Sequence, residues 1–120
     1  MPQITLEYSK NILEKDQIKE ALKKIHDILS ESLPTDINTC KSRAVLCDTF
    51  QVGDGDENRA FIHCTIKILC GRPKEIKQET ANRVLEFLKM FFAHSLKKFR
   101  LQITIELTEL SDFYFKVASE

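Results

Sequence analysis

Pro2 stands directly after the initiator methionine, and the strand-like run Gln3-Ile4-Thr5-Leu6-Glu7-Tyr8 follows at once. Proline is small, so removal of Met1 is expected; the chain then begins with a secondary amine held in a ring. An α-amino group has an ordinary pKa of about 7.7–8, and a small downward shift makes it a general base at neutral pH. A strand beginning one residue later would hold that amine in one place. By itself a proline at this position is an ordinary terminal residue, so the rest of the chain has to supply the argument.

Other residues with chemistry to offer are arranged less suggestively. Lys41 and Arg43 are two apart, so on a strand they share a face. Arg72 follows Gly71 at a break in the pattern, where a surface arginine is unremarkable. Cys40, Cys47, Cys64 and Cys70 form no C-x-x-C pair, and His26, His63 and His94 are scattered with no H-E-x-x-H. No metal or dithiol chemistry is indicated. Cys64 and Cys70 share strand parity with Ile62, Ile66 and Ile68, which reads as reduced, structural packing. His63 follows Phe61 at strand spacing and reads as a structural or interface side chain. Phe50 and Phe115 could line an apolar wall, although core packing is the commoner use of Phe. Glu7 shares a side with Gln3 and Thr5, which makes a role near the terminus only a weak suggestion.

The elements that would position these residues follow from periodicity. Residues 3–8 alternate, with Ile4, Leu6 and Tyr8 on one face. Asn11 to Asp16 is polar and turn-like. Ile18, Leu22, Ile25 and Leu29, with Ala21 and Ile28 beside them, form a helical stripe that Pro34 ends. A second extended stretch covers about 40–51, and Gly53-Asp54-Gly55-Asp56 is a loop. Ala60, Ile62, Cys64, Ile66 and Ile68 alternate in the next strand. Pro73 suits the first turn of a long helix, about 74–96, with Ile76, Thr80, Val84, Phe87/Leu88, Phe91 and Ser95 inward. Lys97, Lys98 and Arg100 lie at its C-terminal end, where cations complement the helix dipole. Leu101, Ile103, Ile105 and Leu107 alternate in the last strand.

The order is therefore β-α-β, loop, β-α-β. Residues 1–120 read as a single domain of two β-α-β halves, about 2–52 and 59–110. Each crossover is long enough to join parallel strands in right-handed fashion. The fold class is α+β, a four-stranded mixed sheet with two helices on one face. The other face mixes Phe61, Thr65, Gln102 and Thr104, and association with further copies is one natural way to cover it.

Composition limits the function classes. The 120 residues carry 18 Lys+Arg against 18 Asp+Glu, a formal net charge of zero, and no long basic block. Neither nucleic acid nor an anionic membrane is an expected partner. The start lacks a signal-peptide pattern and no apolar run would span a bilayer, so the expected location is the cytoplasm.

Taken in order, several segments resemble the 5-carboxymethyl-2-hydroxymuconate isomerase family, within the tautomerase superfamily. They are Pro2 with Glu7, Lys41-Ser42-Arg43, Asp48-Thr49-Phe50-Gln51, Asp54-Gly55, Ala60-Phe61-Ile62-His63, Thr65-Ile66-Lys67-Ile68, Gly71-Arg72, and Ile105 to Leu110. The resemblance runs from Pro2 to about Lys116 and implies a homotrimer with active sites near subunit boundaries. It implies a cofactor-free, metal-free isomerase of homoprotocatechuate catabolism acting on a small carboxylated enol. On this likeness Pro2 is the catalytic acid/base, and Arg72, Lys41 and Arg43 are substrate-binding. Two positions depart from the family pattern: Lys41 where an arginine is expected, and Phe50 where a tryptophan is expected. Lysine keeps the charge and loses the planar bidentate fork.

These residue types suit the implied chemistry. Desolvation and neighbouring cations would lower the amine's pKa, and the same cations would neutralise substrate carboxylates and a developing dienolate. Two alternatives stay open. One keeps the proline and changes the substrate or the reaction, to a nucleophilic or hydrating role. The other is a non-catalytic binding or interaction domain on the same scaffold, which a retained Met1 would favour.

Overall fold

The computed structural model describes residues 1–119. Strand β1 (Gln3–Ser9) is followed by helix α1 (Ile18–Ser32), strand β2 (Lys41–Cys47) and strand β3 (Arg59–Ile68). Helices α2 (Lys74–Phe91) and α3 (Ala93–Lys98) and strand β4 (Arg100–Glu109) complete the chain. The sheet order is β2-β1-β3-β4, with β1 parallel to β2, β3 parallel to β4, and β1 antiparallel to β3. This is the expected mixed sheet.

Alternation explains the strands. Ile4 and Leu6 of β1, and Ala60, Ile62, Cys64, Ile66 and Ile68 of β3, are fully buried on the helix side. They meet Ile18, Ala21, Ile25 and Leu29 of α1 and Thr80, Val84 and Leu88 of α2. Each buried Ile or Leu contributes about 1.5–3 kcal/mol of apolar transfer, which is what fixes register in strands this short. Burial also pushes the Cys64 thiol up to about 12, in keeping with a packing role. The opposite face carries Gln3, Thr5, Glu7, His63, Thr65, Gln102 and Thr104 and has no helix over it.

Three boundaries differ from the sequence expectation. The second extended stretch is a strand only over Lys41–Cys47 and bends at Asp48. The long helix expected over 74–96 breaks at Phe92, whose fully buried ring takes the inward place expected of Phe91. The segment Asn11–Asp16, expected to be a polar turn, buries Ile12 and Glu14. Glu14 accepts from the Ser95 N–H (3.2 Å) and from the Ser95 hydroxyl. It thereby satisfies a first-turn N–H of α3, which the break after α2 would otherwise leave open.

Candidate active site

Register brings the start of β1, the start of β2 and the end of β3 together at one end of the sheet. Gln3 lies between Lys41 of β2 and Lys67 of β3, and Ile68 of β3 lies beside Glu109 of β4. Pro2 is buried at this end, and its carbonyl accepts the Lys41 N–H at 3.1 Å. The same register places Pro2 beside Cys40, which is also buried on the helix side.

Arg72 reaches this end from the loop between β3 and α2. Gly71 has φ +116°, a backbone conformation open to glycine and rarely adopted by other residues, and it turns the chain toward the terminus. Arg72 Nε then donates to the Leu33 carbonyl at the end of α1 (3.2 Å), and Nη1 donates to the Leu69 carbonyl (3.4 Å). Both bonds hold the guanidinium in place. The cation is thus positioned by backbone and has no carboxylate partner among the described residues.

The terminal amine in the structure is that of Met1, which stands in for the Pro2 nitrogen one residue later. Its pKa lies below the ordinary α-amine value. Burial is the largest cause and Arg72 the next; Cys40 works in the opposite direction, and Lys116 and Lys41 add to the lowering. Burial in turn pushes the Cys40 thiol up, so at neutral pH it stays protonated and leaves the cations to dominate.

The expected residues therefore divide. Arg72 and Lys41 act by charge on the terminal amine next to Pro2, and the Lys41 backbone is bonded to the Pro2 carbonyl. Arg43 lies further along β2, where Nη2 donates to Gln3 Oε1 (2.7 Å) and Nη1 to the Ile4 carbonyl (3.4 Å). His63 pairs with Thr104 in mid-sheet (Nδ1 to Oγ1, 2.7 Å), opposite Glu7. Phe50 packs edge-on against Phe61 with ring centroids 6.2 Å apart, at the far end of β1, and Phe115 is exposed. Two residues went unread in the sequence. Cys40 follows from parallel register, which periodicity alone does not fix. Lys116 lies in a tail with no dominant period, although its parity matches that of Tyr114.

The larger surface grooves are elsewhere. One of about 670 Å³ runs along α2 past Ile28, Glu79, Arg83, Phe87 and Met90. Another of about 620 Å³ lies between α1 and β2, past Lys19, Lys23, His26 and Ser42. Among the described residues, no three His, Cys, Asp or Glu side chains converge as metal ligands.

Residues 2–118 match the sequence profile described as 5-carboxymethyl-2-hydroxymuconate isomerase. The chain belongs to that family. It is an isomerase family of the tautomerase superfamily. The 5-carboxymethyl-2-hydroxymuconate Delta-isomerase of Escherichia coli is 30% identical over 110 residues, covering 92% of this chain and 87% of that protein. The crystal structure of a 5-carboxymethyl-2-hydroxymuconate isomerase from Deinococcus radiodurans R1 superimposes with TM-score 0.89 at 28% identity, covering 97% of this chain and 88% of that one. A further 5-carboxymethyl-2-hydroxymuconate delta-isomerase crystal structure gives TM-score 0.88 at 14% identity, with 99% and 89% covered, and speaks for the fold alone. Among the described residues no helix is long and apolar enough to cross a membrane.

Proposed function

We propose that this isomerase moves a proton along a conjugated, carboxylated enol without a cofactor, with Pro2 as general acid/base once Met1 is removed. A retained Met1 would make the Pro2 nitrogen a tertiary amide with no basic lone pair. With the amine free, the nitrogen takes the proton of the enol hydroxyl as the C=O bond forms. The electron pair shifts along the conjugated chain, and the protonated nitrogen returns a proton to a carbon further on. The products are an unsaturated ketone and the regenerated amine, with no net change in protons or electrons.

The observation that supports this most is the lowered pKa of the terminal amine beside Pro2, by burial first, then by Arg72, with Lys116 and Lys41 adding less. These cations would also hold substrate carboxylates and stabilise the dienolate oxygen. Arg43, expected to bind substrate directly, is engaged by Gln3 and so supports the residue next to Pro2. The substrate class is that of the family, a carboxylated 2-hydroxymuconate of homoprotocatechuate catabolism in the cytoplasm. Lys41 supports a narrower alternative, the same proline chemistry on a different carboxylated enol, because lysine lacks the bidentate fork.

The assembly proposed is a homotrimer. Val45 and Leu46 of the edge strand β2 are 42% and 46% exposed, and the sheet face opposite the helices is uncovered. A further copy would pair that edge and cover that face.

The test is ultraviolet-monitored ketonisation of a 2-hydroxymuconate by Met-free protein. Pro2→Ala is expected to lower kcat by a factor of about 10²–10⁴ with the melting temperature unchanged, since the residue is terminal. Near-native turnover by that variant would refute the proline mechanism.

A further inference from the structure

We propose that His26 of α1 is a positioning residue for this site: through Ser42 it fixes the start of β2, and with it the Lys41 ammonium that would hold a substrate carboxylate. The proposal deepens the isomerase reading above and rests on it.

Strand β2 needs such an anchor. It is an edge strand, paired on one side only, with β1. None of its seven residues is buried, whereas β1 and β3 bury alternate side chains under the helices. Apolar burial along β2 therefore does little to fix its place or its twist. Cys40, just ahead of the strand, is buried, and Ser42 is the next residue on that side.

The contact is direct. Ser42 lies beside Ile4, which is fully buried on the helix side, so the Ser42 hydroxyl faces α1. His26 follows Ile25 of the buried helical stripe, and its Nε2 lies 2.8 Å from Ser42 Oγ. Among the described residues no other side-chain hydrogen bond joins α1 to β2. Burial lowers the His26 pKa, with Asp27 working against it, so the ring is neutral at pH 7. A neutral ring has one donor and one acceptor nitrogen, and the Ser42 hydroxyl rotates to meet either at Nε2.

Lys41 and Arg43 flank Ser42 and face the other side of the sheet. The Lys41 N–H donates to the Pro2 carbonyl (3.1 Å), and Arg43 donates to Gln3 Oε1 (2.7 Å) and the Ile4 carbonyl (3.4 Å). These bonds lie in the sheet plane and on its open face. His26 holds β2 from the helix face, so the strand cannot roll about its own axis. Such a roll would keep the Lys41 N–H near Pro2 and swing the long side chain away. An ammonium–carboxylate bond needs about 2.7–2.9 Å between nitrogen and oxygen, so a displacement of ~1 Å at Lys41 breaks it.

The experiment uses Met-free wild type, His26→Phe, His26→Gln and Ser42→Ala, each also combined with Lys41→Met. His26→Phe keeps the packing of the ring and loses the bond, whereas His26→Gln returns an N–H donor to about the same place. On 2-hydroxymuconate, His26→Phe and Ser42→Ala should raise KM about three- to tenfold with kcat within about twofold. His26→Gln should stay within about twofold of wild type. In the Lys41→Met background the same substitutions should move KM by less than about twofold, because the residue they act through is gone. A full KM effect in that background, or none in the wild-type one, would overturn the proposal. Amide hydrogen exchange then tests the placement without substrate. The Lys41 N–H should exchange at least about fivefold faster in His26→Phe and Ser42→Ala, while that of Cys64 in β3 keeps its rate. Equal acceleration at both amides would mean a merely structural role and overturn it, as would an unchanged Lys41 rate. A wild type inactive on the carboxylated enol, with the exchange pattern as expected, would instead refute the isomerase reading.

Discussion

The backbone N–H of Lys41 donates to the carbonyl of Pro2 at 3.1 Å. One hydrogen bond thus couples the proposed base to the strand that carries one of its cations. Lys41 cannot shift along β2 without moving the Pro2 carbonyl, and its ammonium is further steadied by the Thr39 carbonyl at 3.3 Å. The side chain is therefore the free variable at this position. Lys41→Arg should supply two parallel donors and lower KM for a carboxylated enol by about three- to tenfold with kcat little changed. Lys41→Met should raise KM by a similar factor. Steady-state kinetics on both variants measures this, and an arginine that binds no better would mean that Lys41 does not contact a carboxylate.

A second expectation concerns pH. The amine of Met1 is depressed, by burial first and by Arg72 next, and the Pro2 amine one residue on is expected to be depressed in the same direction. Only the neutral amine can accept a proton, so kcat/KM should rise with pH through a midpoint below about 8. Removing a cation stabilises the protonated amine, so Arg72→Met and Lys41→Met should each move the midpoint upward, Arg72→Met the more. The same shift has a sign for folding. Below the folded pKa the native state bears an unfavourable charge, and between the two pKa values the unfolded chain holds more protons. Stability therefore rises with pH across that window and levels off above about 8. A kcat/KM profile that ignores both substitutions would separate the base from these cations.

Much of the fold around this candidate site was legible in the sequence because it lies where local rules are strong. The alternation of Ile4, Leu6 and Tyr8 fixed which face of β1 is buried, and Gly71 before Arg72 marked a turn between strand and helix. What escaped depended on contacts distant in sequence. Arg43 shares a face with Lys41, as spacing requires, yet Gln3 takes its guanidinium, and no spacing rule reports such a partner. Cys40 is set beside Pro2 by parallel register. Glu14 looked like a turn residue because a buried carboxylate is recognisable only from its partner, Ser95, on a distant helix. The break at Phe92 has the same origin, since helical period continues through it and tertiary packing ends the helix.

The loop that delivers Arg72 should be sensitive at Gly71. A Cβ there would touch nothing within 4 Å, so crowding is not the difficulty. The difficulty is φ at +116°, which should cost Gly71→Ala about 1–3 kcal/mol or force the loop into another conformation. Relaxation of the loop would carry Arg72 away from the Leu33 carbonyl. KM should then rise severalfold beyond any loss of folded protein. Denaturant unfolding and kinetics on the same sample distinguish the two effects, and an unchanged KM would show that Arg72 is positioned by Leu33 and not by the turn.

Glu14 should matter for stability and not for catalysis. Its carboxylate accepts the Ser95 N–H and hydroxyl, and the Ser95 oxygen accepts the Leu13 N–H at 2.8 Å. Glu14→Ala leaves two buried donors without an acceptor and should cost about 2–4 kcal/mol. Glu14→Gln keeps one acceptor oxygen but turns an NH₂ group toward a donor, so it should cost less. Ser95→Ala removes the shared oxygen and strands the Leu13 N–H, at about 1–3 kcal/mol. This cluster lies past the end of β1, about 20 Å of strand away from Pro2. Turnover per folded molecule should therefore stay near wild type in all three variants. Urea midpoints would measure the losses, and a Glu14→Ala protein as stable as wild type would mean that water replaces the carboxylate at the start of α3.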